Sequence, residues 1–357
     1  MLILGFESSC DETACAVVKY EDGTLTVLAD MVASQIDIHR LYGGVVPEIA
    51  GRAHIEAISR ITYEALETAG VTLRDIDCVA VTTHPGLIGA LLVAVNFAKS
   101  LAVANHIPLV EVDHMRAHIA TAYLLGEEAP TPPYLSAALS GGHTSIYEVK
   151  GYNDFTLIGS TRDDAIGEAF DKIGRVIGIP YPAGAGFDIL ARKGFQEATG
   201  LEDNFWSAYP KTDAYRDPVM RLPSPALAGD NLDFSFSGLK TAAINLLHHF
   251  EQKGQTLNTA LFAARYTYEA VEAVATKLDR ALSQHKGWNL VVSGGVAANS
   301  HLRARLQTLC DKHGVKLYLP PKHLCGDNGA MVAAQGVYEY LSGARATAAL
   351  NARATDD

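Results

Sequence analysis

Leu2 to Phe6 forms a short apolar run that breaks into a polar turn, Glu7-Ser8-Ser9-Cys10-Asp11-Glu12-Thr13, before strand-like runs from Ala14 to Tyr20 and from Thr24 to Val32. With Glu21-Asp22-Gly23 as the second turn, the pattern predicts a three-stranded meander. The same grammar returns after Tyr134. Leu135 to Leu139 leads into the turn Ser140-Gly141-Gly142-His143-Thr144, then come Ser145 to Lys150, a turn over Gly151 to Asp154, and Phe155 to Gly159. Such recurrence is a weak internal repeat.

Each meander is followed by alternating helix and strand signals. After the first, the periodicity predicts a helix from Glu48 to Ala69, a strand Cys78 to Thr82, a helix Leu87 to Asn105, a strand Leu109 to Val112 and a helix carrying His114 and His118. After the second it predicts helices at Ala165 to Ile177 and Phe187 to Gly194, an irregular insert through Pro225, and helices in Ser237 to His249 and Thr259 to Gln284. Leu290 to Ser293 then reads as a strand, Ser300 to Lys312 as a helix, Lys316 to Leu319 as a strand and Asn328 to Leu341 as a helix. Two sheet-then-helix halves point to layered α/β lobes around a cleft, where ligands collect at strand-end turns. The expected division is 1–126 and 127–343, with a polar, alanine-rich and mobile tail at 344–357.

The candidate chemistry sits at those turns. His114-Met115-Arg116-Ala117-His118 places two imidazoles four apart on one helix face, within reach of a single ion. Asp327, in the turn Cys325-Gly326-Asp327-Asn328 that opens the last helix, is the carboxylate placed to join them, leaving positions free for substrate on iron or zinc. Met115 stands where an H-E-x-x-H metalloprotease keeps its glutamate, so peptidase chemistry lacks its base. Ser140 to Thr144 and Ser293-Gly294-Gly295-Val296 each follow an apolar strand, and paired glycines let backbone N–H groups approach a phosphate. Asp171, on a helix, reads either as a solvated carboxylate or as an acceptor for ribose hydroxyls. Asp188, Asn299 and Gly184 carry similar alternatives: a cap or a ribose contact for Asp188, a cap or a ribose or phosphate contact for Asn299, and a close backbone approach at Gly184.

Composition narrows the class. The 357-residue chain is 48% hydrophobic, long enough for a substantial core. Its formal net charge of -11 argues against wholesale coating of nucleic acid, so a nucleic-acid substrate would need a pocket, a local basic patch or a partner. Five cysteines without a C-x-x-C pair fit a compartment where thiols stay reduced. No apolar run is read as reaching the membrane-span length of about 18 residues, which gives the expectation of a cytoplasmic protein with no membrane segment.

Nine segments in chain order carry a resemblance. Gly5 to Thr13, Tyr42 to Glu48, Pro85-Gly86-Leu87, His114 to His118, Ser140 to Thr144, Gly167 to Lys172, Phe234 to Thr241, Ser293 to Asn299 and Asp327 to Met331 together resemble the bacterial TsaD (Gcp, YgjD) family, from residue 2 to about 341. The resemblance implies an actin-like ASKHA fold, duplicated and two-lobed with a central cleft. It implies transfer of a threonylcarbamoyl group from threonylcarbamoyl-adenylate to N6 of the adenosine at position 37 in tRNAs reading codons that begin with A. It places one Fe2+ per subunit, with Zn2+ as the alternative, on His114, His118 and Asp327. Substrate contacts fall on Leu139, Ser140, Gly141, Gly142, His143, Asp171, Gly184, Asp188 and Asn299, while Glu12 and His143 are the candidates for proton handling. Implied partners are tRNA, a smaller paralogous TsaB-like subunit that pairs through helices of the first lobe, Leu87 to Asn105 among them, and a TsaE-like ATPase. Arg116-Ala117 replaces the family's usual Glu-Gly between the histidines, and Ala183 and Ala185 alter the usual Y-P-G-G-P loop. The competing readings are an actin-like or sugar-kinase-type ATPase and a non-catalytic scaffold subunit of a tRNA-modification complex.

Overall fold

The computed structural model describes residues 1–225, 227 and 229–355. Alternating apolar strands assemble into two five-stranded sheets. The first holds β1 (Leu2–Glu7), β2 (Glu12–Glu21), β3 (Thr24–Ser34), β4 (Cys78–His84) and β5 (Leu109–Asp113) in the order β3-β2-β1-β4-β5. The second holds β6 (Tyr134–Leu139), β7 (Thr144–Gly151), β8 (Asp154–Ser160), β9 (Asn289–Ser293) and β10 (Leu317–Tyr318) in the order β10-β9-β6-β7-β8. Read from the opposite edge, the two orders match: a meander whose first strand takes a later strand as its other neighbour. That neighbour is parallel in both sheets, β1 with β4 and β6 with β9. The weak repeat in the sequence is therefore a repeat of topology, and the fold is α/β of the actin-like type.

The longer helices follow the expected places closely, whereas the short ones at Ile36–Arg40 and Asp213–Arg216 were not expected. In the first half the helices are α1 (Ile36–Arg40), α2 (Pro47–Ala69), α3 (Ile88–Asn105) and α4 (His114–Ala120). The remainder are α5 (Ile166–Val176), α6 (Gly184–Thr199), α7 (Asp213–Arg216), α8 (Ser237–Gln252), α9 (Thr259–Gln284), α10 (Ser300–His313) and α11 (Gly329–Leu341). Pro47 opens α2 with its fixed φ, and Gly70, at φ 67°, closes it. One sheet face packs Leu4, Phe6, Val79 and Val81 against Ile58 and Ile61 of α2 and Leu91, Ala94, Val95 and Ala98 of α3. Each large side chain buried this way stabilises the fold by about 1.5–3 kcal/mol.

By length and composition α3 is apolar enough to cross a membrane, with mean hydropathy 1.6 over its 18 residues. This corrects the reading that no such run exists. Its alanines and leucines are interrupted by Asn96 and Lys99, which disguise the run, and Ala90, Leu91, Ala94, Val95, Ala98 and Ala102 are buried in the core.

The chain forms two compact units: 1–133 with 149–155 and 318–357, and 134–148 with 156–317. The segment 318–357 thus belongs with the first unit, whereas the sequence reading carried the second lobe to residue 343. Its helix α11 lies flush on the first sheet because small residues meet there. A Cβ added at Gly329 would sit 2.5 Å from the Ala16 nitrogen, and one at Gly336 would sit 2.4 Å from the Ala80 Cβ. Of the tail 344–357, Asp356 and Asp357 lie outside the described residues. The rest is held: the Ala346 N–H donates to the Leu109 carbonyl at 2.7 Å, and the Arg353 N–H donates to the Thr83 carbonyl at 2.9 Å.

Candidate functional site

In the first unit, β5 runs directly into α4, and the boundary residue sets the register. Asp113 caps α4, its Oδ1 accepting the Met115 N–H at 2.7 Å and the Arg116 N–H at 2.9 Å. His114 is thereby the first helical residue and His118 falls one turn on. Their ring centroids are 4.5 Å apart, at 73° to each other. The third member arrives from the start of α11. Asn328 caps that helix by accepting the Met331 N–H at 2.8 Å, and Asp30 on β3 accepts the Gly329 and Ala330 N–H groups at 3.0 and 3.3 Å. These bonds fix the turn that presents Asp327.

The ligand atoms of His114, His118 and Asp327 all lie within 4.8 Å of one another. Asp327 Oδ1 is 3.2 Å from His118 Nε2 and 3.8 Å from His114 Nε2. The closer approach is out of line for a hydrogen bond, and neither His118 ring nitrogen has a hydrogen-bond partner among the described residues although His118 is buried. Burying a polar nitrogen without a partner costs about 1–3 kcal/mol. A cation on Nε2 removes part of that cost, so two imidazoles and one carboxylate fit a metal ion with open positions.

Carboxylates set the charge around the trio. Burial disfavours the charged form of His114, yet Glu7 and Asp327 outweigh it and push the imidazole up to about 9. Burial likewise works against charge on Glu7, but His114 outweighs it and holds that carboxyl below its ordinary value. Burial and then Asp327 and Asp11 push Glu12 up to about 10, which leaves it protonated at neutral pH. A divalent cation beside Asp327 would pull it back down. Arg116, two residues from each histidine, turns off their face: its guanidinium lies 5.1 Å from the Phe155 ring centroid and 3.8 Å from Glu339 Oε1.

In the second unit, the two glycine turns end neighbouring parallel strands, β6 and β9, in register from Tyr134 with Asn289 to Ala138 with Ser293. Gly294, at φ 86°, lies so close that an added Cβ would sit 2.4 Å from the Leu139 carbonyl oxygen. Gly167 similarly lets α5 abut the first turn, its Cβ position being 2.5 Å from the Ser140 oxygen. The turn is braced by its own bonds, the Ser140 N–H donating to the His143 carbonyl at 2.8 Å and the His143 N–H to Ser140 Oγ at 3.1 Å. Gly141 and Gly142 are exposed, His143 half-buried and Leu139 buried, so Leu139 offers backbone alone.

The other expected contacts are partly committed to the frame. Asp171 accepts the Ala183 N–H at 2.7 Å, tying α5 to the loop before α6. Asp188 on α6 accepts Ser300 Oγ at 2.9 Å. Asn299 is the cap of α10, accepting the His301 and Leu302 N–H groups at 3.0 and 2.9 Å through Oδ1. Gly184 opens α6 in open space, with nothing within 4 Å of an added Cβ among the described residues. Beside Ser300 lies a cavity of about 360 Å³ lined by Arg192, Phe205, Trp206, Ser300 and His301.

The sequence reading missed Glu7, Asp30 and Thr82 around the first-unit trio, and Trp206 and His301 in the second unit. A charged residue closing the apolar run Leu2 to Phe6 was the available signal for Glu7; the others act across distant stretches of chain and carried none.

Comparison with known proteins gives the family. The sequence profile of the TsaD family, described as tRNA N6-adenosine threonylcarbamoyltransferase, matches residues 26–334. A protein of that name from Bacillus anthracis is 46% identical over 352 residues, covering 98% of this chain and 95% of the relative. Another, from Latilactobacillus sakei subsp. sakei, is 48% identical over 335 residues, covering 93% and 90%. Among solved structures, T. kodakarensis HypF aligns with TM-score 0.60 at 16% identity, over 96% of this chain and 48% of HypF, a likeness of fold alone.

Proposed function

The chain belongs to the tRNA N6-adenosine threonylcarbamoyltransferase family and is a transferase of that kind; from that premise we propose how its residues divide the reaction. The donor is threonylcarbamoyl-adenylate, the acceptor is N6 of the adenosine at position 37 in tRNAs reading codons that begin with A, and AMP leaves. The observation that carries the assignment to particular residues is the convergence of His114, His118 and Asp327, with both His118 nitrogens lacking a hydrogen bond among the described residues. We take the resident ion to be one Fe2+ per subunit, with Zn2+ satisfying the same donors. Bound there, it supplies Lewis-acid polarisation of a carbonyl.

The second unit holds the nucleotide. The exposed Gly141 and Gly142 amides, at the strand end beside Gly294 and Gly295, donate to the phosphate and stabilise AMP as the leaving group. Asp171 and Asp188 take ribose hydroxyls, Gly184 leaves room for the sugar, and Asn299, its oxygen committed to capping α10, offers its amide hydrogens. The cavity beside Ser300 is roomy enough for the adenine ring. An aromatic amino group is a poor nucleophile, so holding N6 in line supplies much of the acceleration. N6 must also lose a proton. His143 at the turn and Glu12, whose carboxyl a bound cation would bring down from about 10, are the two candidate acceptors.

An ATPase or a scaffold would leave the histidine-pair donors without a task. The glutamate that an H-E-x-x-H peptidase uses as its base is replaced here by Met115, 2% exposed in the core. Further partners are a TsaB-like subunit, which the exposed Ile55 and Tyr63 of α2 and Ile88 and Val103 of α3 suit, and a TsaE-like ATPase. The compartment is the cytoplasm. The test is nucleoside mass spectrometry of unmodified tRNA incubated with threonylcarbamoyl-adenylate, the partner subunits and this protein. Appearance of the threonylcarbamoyl adduct on adenosine supports the assignment; its absence with metal-loaded protein overturns it.

A further inference from the structure

We infer that Glu7 is a positioning residue for the metal centre, orienting His114 so that Nε2 faces the ion. The inference rests on the metal reading above and adds a residue to it. His114 Nδ1 lies 3.2 Å from Glu7 Oε2 and 3.2 Å from Ser9 Oγ, while Nε2, on the other edge of the ring, lies 3.8 Å from Asp327 Oδ1. Donation of the Nδ1 proton to the carboxylate leaves the Nε2 lone pair for a cation and makes it more basic.

Glu7 is itself fixed. It is fully buried at the end of β1, where Thr82 Oγ1 of the neighbouring parallel strand β4 donates to Oε2 at 2.6 Å and the Ser9 N–H donates to Oε1 at 2.5 Å. Both oxygens are thereby engaged and the side chain cannot swing away. A buried carboxylate is costly unless paired, and His114 is the cationic partner among the described residues in contact with it. With an ion bound, the charges of the buried Glu7 and the part-buried Asp327 together would balance a dication. His118 has no such brace: its Nδ1 lacks a hydrogen bond among the described residues. The two histidines are therefore unequal, His114 held in advance and His118 fixed by the ion itself.

The test is titration of the metal-free full-length protein with Co2+, followed by its visible absorption, for the intact chain, Glu7→Gln, Thr82→Val and His118→Ala. Glu7→Gln keeps the shape and removes the charge. Its Co2+ affinity should fall about 10–100-fold, with far-UV circular dichroism and the metal-free melting profile retained. Thr82→Val, which loosens Glu7 but keeps its charge, should lose several-fold, and the double variant no more than Glu7→Gln alone. Intact affinity in a folded Glu7→Gln protein overturns the inference. If that variant does not fold, unchanged affinity in Thr82→Val overturns it instead. Equal Co2+ binding by the intact chain and His118→Ala removes the metal reading itself, a distinct failure that takes this inference with it.

Discussion

The two units handle polar side chains in opposite ways. In the first, the ligand atoms of His114, His118 and Asp327 converge to within 4.8 Å, and the His118 ring nitrogens gain no hydrogen bond among the described residues. In the second, the carboxylates and the amide expected to touch substrate already serve the frame: Asp171 holds Ala183, Asp188 holds Ser300 and Asn299 caps α10. The first arrangement gives up stability for a donor set that suits a metal ion. The second ties its candidate binding side chains into the frame, beside exposed glycine amides. Two histidines show the same contrast in charge, His114 being pushed up to about 9 by Glu7 and Asp327 against burial, while burial pushes His301 down to about 4.

If this contrast is right, function and stability separate in the first unit and move together in the second. The largest effect follows from His118→Ala, which should lower tRNA modification by at least about a hundredfold while the metal-free melting temperature holds or rises, because an unpaired buried nitrogen is removed. A large drop in melting temperature would break the comparison. Next is the pH dependence tied to His301. Its folded pKa lies below its unfolded value of 6.5, so its contribution is present above pH 6.5 and is lost as pH falls towards 4. The loss is on the order of 3 kcal/mol, and denaturant melts of the intact chain and His301→Phe should diverge across that window.

Smaller, and purely steric, is Gly294→Ala. It forces a Cβ against the Leu139 oxygen at a positive φ and should cost about 2 kcal/mol or more. Gly184→Ala, in open space, should leave stability within about 1 kcal/mol and raise KM for the adenylate if the sugar passes there. Near-equal stability losses at the two glycines would erase the distinction between packing and approach. The smallest is Asp188→Ala, about 1 kcal/mol from the lost bond to Ser300, accompanied by a higher KM; a change in KM with no change in stability would detach Asp188 from the frame.

Much of this architecture was legible because the signals are local. The strands fell within a few residues of their expected bounds, since alternation and turns such as Glu21-Asp22-Gly23 act over neighbours. The histidine pair was legible because spacing of four on a helix fixes a common face, and the Asp113 cap confirms where that helix starts. What escaped depends on contacts that no local pattern encodes. Glu7 meets Thr82 75 residues away, and Asp30 reaches Gly329 across 299. The insert looked irregular because it lacks periodicity; in the structure its Phe205 stacks on Phe195, their ring centroids 4.9 Å apart, and Trp206 packs on His301. Asn299 was read as either a cap or a ligand contact, and its oxygen proves to be a cap.

The most direct measurement is the metal content of the protein purified without oxygen, intact and as His114→Ala and His118→Ala. The account predicts about one iron-type ion per intact chain and loss of it from both variants, with the fold unchanged by circular dichroism. Equal metal in all three, or none in an intact protein that still modifies tRNA, would contradict it.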